Sequence, residues 1–301
     1  MGSGSNAIVT CIIATHGRAE LLRASLCSVI GQRRLPDEVI VVDDLADDAT
    51  QRVVEQAQAD TLVEIRYVPN LEGGGASASR NHGASIAKGS FLAFLDDDDL
   101  WHSDFLAELV PPISANGVHM TIGGLAPFRD GMVSDPVVVP PRLRPEDVLS
   151  MNPGVTGSNF VISRSAFDHV HGFDESLRVS NDKDFFVRVL DNGHLYEVIG
   201  RPLAYQRIHE TGRLTDNTLA RVQALLDYQR KWNHRLSRHD EVTLEKYILK
   251  TRYRATPSRI KRAGIALELL MKQGPRALRS EHPRAWYPPA DDAPAQLRDA
   301  S

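Results

Sequence analysis

The first hundred residues alternate short apolar runs rich in β-branched residues with runs whose apolar side chains recur at helical spacing. Such alternation predicts a parallel sheet covered by helices. Gly31 stands where the first of these helices would stop, and Gly89 closes the third. The predicted strands are 7–15, 38–42, 64–68 and 91–95, and the predicted helices are 18–30, 50–59 and 75–88.

Beyond residue 116 the alternation loosens, and the second half is predicted to be α+β. The composition after Gln273 turns to Pro, Arg, Ala and Asp, which indicates a loosely packed tail. The residues before Ala7 are typical of a flexible leader. The predicted strands here are 118–122, 133–139, 157–163, 195–199 and 203–208, and the predicted helices are 164–170, 182–190, 214–232, 242–253 and 260–271.

Charge and cysteine content exclude several classes of protein. The 35 Lys and Arg against 39 Asp and Glu give a formal net charge of −4, so no basic surplus favours nucleic acid or anionic lipid as the main partner. Cys11 and Cys27 both lie in apolar segments, which favours reduced thiols in the cytoplasm over a disulfide. No stretch approaches the ~20 apolar residues of a transmembrane helix, and we expect a soluble protein.

A run of four aspartates, Asp96 to Asp99, directly follows the predicted strand 91–95. Carboxylates about 4 Å apart repel by roughly 4 kcal/mol at an effective dielectric near 20, so a positive partner is needed. Asp96 and Asp98 can offer hard oxygens to a divalent ion that also binds phosphate. An acidic turn that caps a helix near Ser103 is the structural alternative.

Two further features are expected at the same edge of the sheet, where open α/β sheets bind ligands. Asp43 and Asp44 end the second strand as exposed acids suited to a ribose hydroxyl or a base, although acids there can also simply form a turn. The glycines 73–75 open a helix of small residues in which Arg80 can neutralise phosphate oxygens. This segment lacks the Gly-Lys-Ser/Thr ending of a P-loop, and alone it is a weak signal.

The ordered set of motifs resembles glycosyltransferase family 2, over residues 8–215. The resemblance implies the GT-A fold, a Rossmann-like mixed sheet flanked by helices, here followed by a helical C-terminal region. The motifs are Ala14-Thr15-His16-Gly17-Arg18, Val41-Val42-Asp43-Asp44, Ala78-Ser79-Arg80-Asn81, Phe94-Leu95-Asp96-Asp97-Asp98-Asp99, Gly172-Phe173-Asp174-Glu175, Asn181-Asp182-Lys183-Asp184-Phe185-Phe186 and Tyr205-Gln206-Arg207-Ile208-His209.

The resemblance also implies donor and metal sites. Asp96 and Asp98 match the family's Asp-x-Asp, with Asp98 favoured as the direct ligand of Mn²⁺ or Mg²⁺. His209 matches a histidine that completes metal or diphosphate coordination in similar enzymes, the alternative being a polar loop histidine. The residues implied to bind the donor nucleotide are Thr15, Arg18, Asp43, Asp44, Arg80 and Asp97.

Asp182 matches the second residue of the family's Glu-Asp pair, which implies that it is the catalytic base. A helix N-terminal acid, favourable with the helix dipole, is the structural alternative. Two departures from the family pattern bear on specificity. Asn181 replaces the usual Glu, which puts acceptor orientation in doubt, and Ala14, His16 and Gly17 stand where Pro, Tyr and Asn are frequent.

The resemblance therefore implies an inverting, metal-dependent hexosyltransferase that uses a uridine or thymidine diphosphate sugar. Small-molecule, saccharide and lipid-linked acceptors all fit, and a homo-oligomer is left open. A sugar-phosphate nucleotidyltransferase and a non-catalytic nucleotide-sugar-binding protein are the alternatives. The implied parts are a leader (1–6), a donor-binding half (7–115), an acceptor-binding and catalytic half (116–213), a helical extension (214–273) and the tail (274–301).

Overall fold

A computed structural model describes residues 7–209, 217–274, 285, 287 and 289–297 of the chain. The predicted leader, the first residues of the predicted helix 214–232 and much of the predicted tail therefore lie outside the described residues.

The first half is the predicted parallel sheet with helices between its strands. The order β3-β2-β1-β4 is parallel throughout. Its two central strands, β1 and β2, are buried along their whole length, as the nearly continuous apolar runs predicted. The elements are β1 Val9–Thr15, α1 Ala19–Ile30, β2 Glu38–Asp43, α2 Asp48–Ala59, β3 Glu64–Pro69, α3 Gly75–Ile86 and β4 Phe91–Asp96.

The second half extends the same sheet as a mixed one, in the order β4-β8-β6-β9-β5, with β7 paired to β6. Strand β8 is antiparallel to both of its neighbours, whereas β6 and β9 are parallel. The elements are β5 Leu100–Trp101, α4 Phe105–Asn116, β6 Met120–Arg129, β7 Met132–Val133, α5 Pro145–Val148, β8 Phe160–Ser163, α6 Arg164–His169, α7 Asn181–Asp191 and β9 Tyr196–Arg207.

The predicted strands 195–199 and 203–208 form one continuous strand, β9. The prediction left residues 200–202 outside both strands, but in the structure they belong to β9, whose pairing with β6 shifts register around Gly124. A Cβ on Gly124 would lie 2.5 Å from the Arg201 carbonyl oxygen, so the bulge depends on this glycine. The two segments are therefore held together by pairing with a distant strand.

Other boundaries differ from the predictions. The predicted strand 133–139 is wrong: only Met132–Val133 is a strand, and Val137 makes an isolated bridge to Leu125. Helix α3 ends at Ile86, two residues before the predicted end at Lys88. Arg164 holds the end of α3 and the residues that follow it, because its guanidinium donates to the carbonyl oxygens of Ala84, Ala87 and Gly89.

Three helices form the C-terminal extension: α8 Leu219–Trp232, α9 Arg238–Ala255 and α10 Arg259–Gln273. Helix α8 is fixed to the sheet domain by two buried groups, Tyr228 Oη donating to Leu149 O (2.9 Å) and Trp232 Nε1 donating to Asp184 Oδ1 (2.9 Å). A 3₁₀ turn at Ala295–Leu297 places Leu297 against the sheet beside Phe128 and Tyr205. Within the described ranges, no helix is long and apolar enough to cross a membrane.

Candidate active site

The acidic run lies where β4 leaves the sheet, beside the end of β1. Ala14 pairs with Asp96 in the ladder, and Thr15 pairs with Asp43, so the three strand ends share one edge. Asp97 and Asp99 are buried, whereas Asp96 and Asp98 are partly exposed. The four carboxylates therefore do not face solvent together, and alternate ones point inward.

Thr15 and Arg18 hold the buried Asp97. Thr15 Oγ1 donates to Asp97 Oδ2 (2.7 Å), and Arg18 Nη2 lies 2.5 Å from Oδ1. Burial raises the pKa of Asp97 to about 6, although Arg18 opposes this shift. Arg18 also reaches Asp98, with Nη1 3.0 Å from Oδ2. The positive partner that the acidic run needs is thus provided partly by the protein itself.

Asp99 is the second inward acid, and sequence reasoning gave it no role. Ser158 Oγ donates to its Oδ2 (2.7 Å) and accepts from the amide of Asp96 (3.1 Å). The Arg207 amide donates to Oδ1 (3.0 Å). Burial raises the pKa of Asp99 well above its usual value. Asp99 therefore joins the ends of β4 and β9, and no local sequence pattern around Ser158 signals this contact.

A divalent ion fits the carboxylates at this edge. Asp96, Asp98 and Asp99 each offer one oxygen, and these atoms all lie within 4.8 Å of one another. Both oxygens of Asp99 already accept hydrogen bonds, so Asp96 and Asp98 are the accessible donors. Hard oxygen ligands are the ones Mg²⁺ and Mn²⁺ prefer. His209 stands next to this group, with Nε2 2.8 Å from Asp98 Oδ2.

Arg80 connects the acidic run with helix α7. Its side chain is only 5% exposed; it forms an ion pair with Asp96, and Nη1 lies 3.5 Å from Asp182 Oδ1. The guanidinium packs over the Phe173 ring, 5.1 Å from the ring centroid. Gly157 makes room for it, because a Cβ there would lie 2.2 Å from Arg80 Nη2. Sequence reasoning did not single out Gly157.

Asp182 stands in the first turn of α7. The preceding Ser180 has a left-handed backbone (φ 61°), a conformation that a non-glycine residue rarely adopts outside functional or tightly constrained sites. Asn181, which replaces the family's Glu, donates to Ser77 Oγ (2.8 Å) and accepts from the Asp182 amide (2.9 Å). Asn181 thereby ties the start of α7 to α3.

The Asp182 carboxylate is partly exposed, with 22% of the side chain accessible. Its Oδ1 is buried and accepts no hydrogen bond from any residue that the structure describes, although Arg80 Nη1 lies 3.5 Å away. Burial raises the pKa of Asp182 to about 6; Arg80 opposes the shift, and Asp96 adds to it. A partly exposed carboxylate with a raised pKa, at the wall of a cleft, is a good proton acceptor.

These groups line one open cleft of about 280 Å³. The cleft brings Arg18, Arg80, Asp96, Asp98 and Asp182 together from both halves of the sheet. Its other walls include residues that sequence reasoning did not assign to the site, since they lie in loops without a motif or in a motif position without an implied role. They are Ala14, Ala76, Asp99, Thr156, Arg178, Val179, Ser180, Asn181 and Gln206.

Asp43 and Asp44 do not line this cleft. Asp43 is fully buried, which corrects the expectation of an exposed acid. Its oxygens accept from the amides of Leu45 (3.0 Å) and Asp47 (2.8 Å) and from Tyr67 Oη (2.9 Å), so it shapes the loop after β2. Asp44 is paired with the exposed His16, the two polar atoms being 2.5 Å apart.

The sequence matches a family model described as glycosyl transferase family 2 over residues 10–170. It is 25% identical over 237 residues to the Escherichia coli UDP-Glc:alpha-D-GlcNAc-diphosphoundecaprenol beta-1,3-glucosyltransferase WfgD, covering 73% of this chain and 92% of the relative. It is 26% identical over 258 residues to the amylovoran biosynthesis glycosyltransferase AmsB of Erwinia amylovora, covering 81% and 83%.

Two solved structures share the fold. S. aureus TarS 1-349, crystallised with UDP-GlcNAc, superposes with a TM-score of 0.59 and 18% identity over 88% of this chain and 72% of TarS 1-349. The mannosyltransferase PcManGT from Pyrobaculum calidifontis, in complex with GDP-Man and Mn²⁺, gives a TM-score of 0.59 and 19% identity over 89% and 81%.

Proposed function

This chain belongs to glycosyltransferase family 2 and has the GT-A fold, so it transfers a sugar from a nucleotide donor, and we propose that it is an inverting, metal-dependent hexosyltransferase acting on a lipid-linked saccharide. The motif resemblance is thereby confirmed. Membership in this family also argues against a sugar-phosphate nucleotidyltransferase, because the matched relatives are glycosyltransferases.

One observation carries the proposal: the partly exposed carboxylates of Asp96, Asp98 and Asp182 line the same cleft. In the proposed reaction Asp182 accepts the proton of the acceptor hydroxyl. The hydroxyl oxygen forms a bond to the anomeric carbon while the bond from that carbon to the diphosphate oxygen breaks, and the nucleoside diphosphate leaves with the electron pair. Attack from the face opposite the diphosphate inverts the anomeric centre.

Asp96 and Asp98, with His209 beside them, would hold Mn²⁺ or Mg²⁺. The ion would supply positive charge to neutralise the departing diphosphate. Arg80 holds Asp96 and Asp182 in place, and Arg18 does the same for Asp97 and Asp98. This preorganisation keeps the acids positioned before the donor binds, which is where most of the rate enhancement in such a site arises.

Thr15, Arg18, Arg80 and Asp97 are proposed to form the donor nucleotide site, with Asp43 and Asp44 at the nucleoside end. The position of Asp43 and Asp44 outside the main cleft supports a role in shaping the β2 loop around a base. A uridine or thymidine diphosphate sugar is proposed, since a UDP-glucose-dependent enzyme matches most of the chain. Both cysteines are free, which supports placing the enzyme in the reducing cytoplasm.

The lipid-linked acceptor is proposed from the same relative, whose acceptor is a GlcNAc-diphosphoundecaprenol. The test has two stages. Thermal shifts with UDP, dTDP and GDP, with and without Mn²⁺, identify the base, because a ligand of the native state raises the melting temperature. The matching nucleotide sugars are then assayed with a synthetic GlcNAc-diphosphoryl lipid, and the anomeric configuration of the product is determined by NMR.

Two variants make this test decisive. Asp182→Asn keeps the shape of the side chain and removes its basicity, so transfer should fall by about 10² to 10⁴ while the nucleotide-induced thermal shift is retained. Asp98→Ala should abolish the Mn²⁺ dependence of that shift. Unchanged turnover in Asp182→Asn, or equal shifts with and without Mn²⁺ in the wild type, would refute the assigned roles.

A further inference from the structure

Helix α10 carries apolar side chains on two opposite faces. Ile265 and Leu269 are buried against Leu249 of α9. Ile260, Leu267 and Met271 are 87%, 58% and 75% exposed. At 3.6 residues per turn these three lie within about 40° of one another around the helix axis. They form an apolar stripe, here called the outer stripe, opposite the face that packs on α9.

The segment around the outer stripe is strongly basic. Residues 246–267 contain seven Lys and Arg and no Asp or Glu. Because the whole chain has a formal net charge of −4, the rest of the chain carries −11. The positive charge of this protein is thus concentrated on the last two helices, on the element that exposes the apolar stripe.

Part of this charge is not used within the fold. Arg252 lies 3.8 Å from Glu268, and Arg262 packs over the Tyr253 ring. In contrast, the side chains of Arg254, Arg259 and Lys261 are exposed and form no ion pair with any residue in the described ranges. Arg259 and Lys261 directly flank Ile260, so cations border the outer stripe at its N-terminal end.

We propose that α10 docks on an anionic lipid surface, with the outer stripe inserted among the acyl chains and Arg254, Arg259 and Lys261 on the headgroups. An exposed apolar stripe bordered by Lys and Arg is the arrangement by which helices lie in a membrane interface. A second copy of this chain fits less well, since a two-fold contact through the stripe would bring two equally basic segments together.

The docked extension adjoins the cleft. Val179 lines the cleft and packs against Val222 and Leu225 of α8 and Ile248 of α9. The inference therefore rests on the proposed function in one respect: a surface that binds α10 would also hold a lipid-linked acceptor close to Asp182. Lipid binding itself requires no catalysis, so the two proposals can fail separately.

The test is co-sedimentation of the full chain with vesicles of phosphatidylcholine alone or with 30% phosphatidylglycerol. The wild type should bind the anionic vesicles at least about tenfold more tightly than the neutral ones, because each basic residue near an anionic surface raises the affinity on the order of fivefold. Ile260→Ser/Leu267→Ser/Met271→Ser and Arg254→Ser/Arg259→Ser/Lys261→Ser should each lose at least about tenfold in binding.

Matched controls separate the surface from general effects. Leu62→Ser/Leu71→Ser/Leu195→Ser removes equally exposed apolar side chains elsewhere, and Arg23→Ser/Arg52→Ser/Lys88→Ser removes the same charge; both should bind like the wild type. The nucleotide-induced thermal shift should be unchanged in all four variants.

Failure of the wild type to bind, equal binding to neutral vesicles, or equal loss in the controls would overturn the proposal. The wild type could instead show no vesicle binding but a mass that increases with protein concentration. If only the stripe variant loses this increase, the outer stripe contacts a second copy of the chain, and the lipid proposal is wrong.

Discussion

At the scale of single residues, the protonation of Asp182 should set the acidic limit of activity. Burial raises its pKa to about 6, and only the ionised form can accept a proton. The rate should therefore be constant above pH 7 and fall about tenfold for each pH unit below 6. Measuring kcat/KM from pH 4.5 to 8.5 tests this.

Asp97 needs a control, because burial raises its pKa to about 6 as well. Asp97→Asn should lower kcat/KM at every pH, since Thr15 and Arg18 lose their ionised partner. The fall of kcat/KM below pH 6 should nevertheless remain in this variant. If the kcat/KM of Asp97→Asn stays constant down to pH 5, the loss of activity at acidic pH is caused by protonation of Asp97 and not of Asp182.

Gly157 should control the site without contacting substrate. A Cβ there would lie 2.2 Å from Arg80 Nη2, and the guanidinium would have to leave Asp96 and Asp182. Charge-assisted hydrogen bonds contribute about 1.5 to 3 kcal/mol, so Gly157→Ala should lower kcat/KM by roughly 10- to 100-fold. Gly200→Ala, where a Cβ meets nothing within 4 Å, is the matched control and should be fully active. If Gly157→Ala keeps the kcat/KM of the wild type, the contacts of Arg80 with Asp96 and Asp182 are not needed for activity.

The sequence could predict which acids lie at one edge of the sheet, because parallel strands bring their carboxyl ends together. It could not predict that Asp43, Asp97 and Asp99 are buried. Asp97 and Asp99 have partners far away in the chain, Thr15 and Ser158, and Asp43 accepts a hydrogen bond from Tyr67 on the neighbouring strand. From sequence alone a run of aspartates is expected to be exposed to solvent. Only the fold shows which arginines and hydroxyl groups bind these carboxylates and allow some of them to be buried.

At the scale of elements, Asp184 joins α7 to α8. Its fully buried carboxylate accepts from Trp232 Nε1 (2.9 Å) and forms ion pairs with Lys231 (2.6 Å) and Arg188 (2.9 Å). Removing one partner of a buried pair leaves charge uncompensated, so Asp184→Ala should destabilise the fold by about 3 kcal/mol. Urea unfolding followed by tryptophan fluorescence measures this.

A surface ion pair on α8 provides the control substitution for Asp184→Ala. Asp227 pairs with Arg230 at the surface, both side chains being more than a third exposed. Asp227→Ala should change the free energy of unfolding by less than about 1 kcal/mol. Equal effects of the two substitutions would mean that Asp184 does not hold the extension to the sheet domain.

Periodicity predicted the elements of the first half well, because each strand there is a local apolar run between turn residues. It failed where pairing overrides local preference. Residues 200–202 continue β9 because β9 bulges opposite Gly124 of β6. The segment 133–139 is rich in valine but forms no continuous strand, because it pairs with β6 only around Val133 and Val137. Both outcomes depend on β6, which no local window includes.

At the scale of the whole molecule, neither half forms the site alone. The parallel half delivers Arg18, Asp96 and Asp98, and the mixed half delivers Asp182 and His209. Strands β8 and β6 separate β4 from β9 in the sheet order, yet Asp98 and His209 meet across this gap. The loop after β4 and the end of β9 close over the sheet through β5, which pairs with β9 directly after the acidic run.

Lys183 imposes a pH-dependent cost on the stability of the whole fold. Burial lowers its pKa to about 7, although Asp240 and Asp184 oppose the shift, and Nζ lies 3.9 Å from the centroid of the Tyr228 ring. In the unfolded chain a lysine has a pKa of about 10.4. Between these values the unfolded state binds more protons, so this lysine makes stability rise with pH, and below pH 7 the native state carries the full cost of a buried ammonium.

Lys183→Met should therefore stabilise the protein, by about 1 to 3 kcal/mol at pH 6 and by roughly half of that or less at pH 9. The carbonyl of Leu149, to which Nζ donates, keeps its hydrogen bond from Tyr228 Oη, so no acceptor is left unpaired. Lys231→Met should do the opposite, because it removes the ion pairs to Asp174 and Asp184. Urea unfolding of both variants at the two pH values measures this, and a gain for Lys183→Met that does not shrink with rising pH would show that Lys183 stays protonated in the fold up to pH 9, so that burial does not lower its pKa.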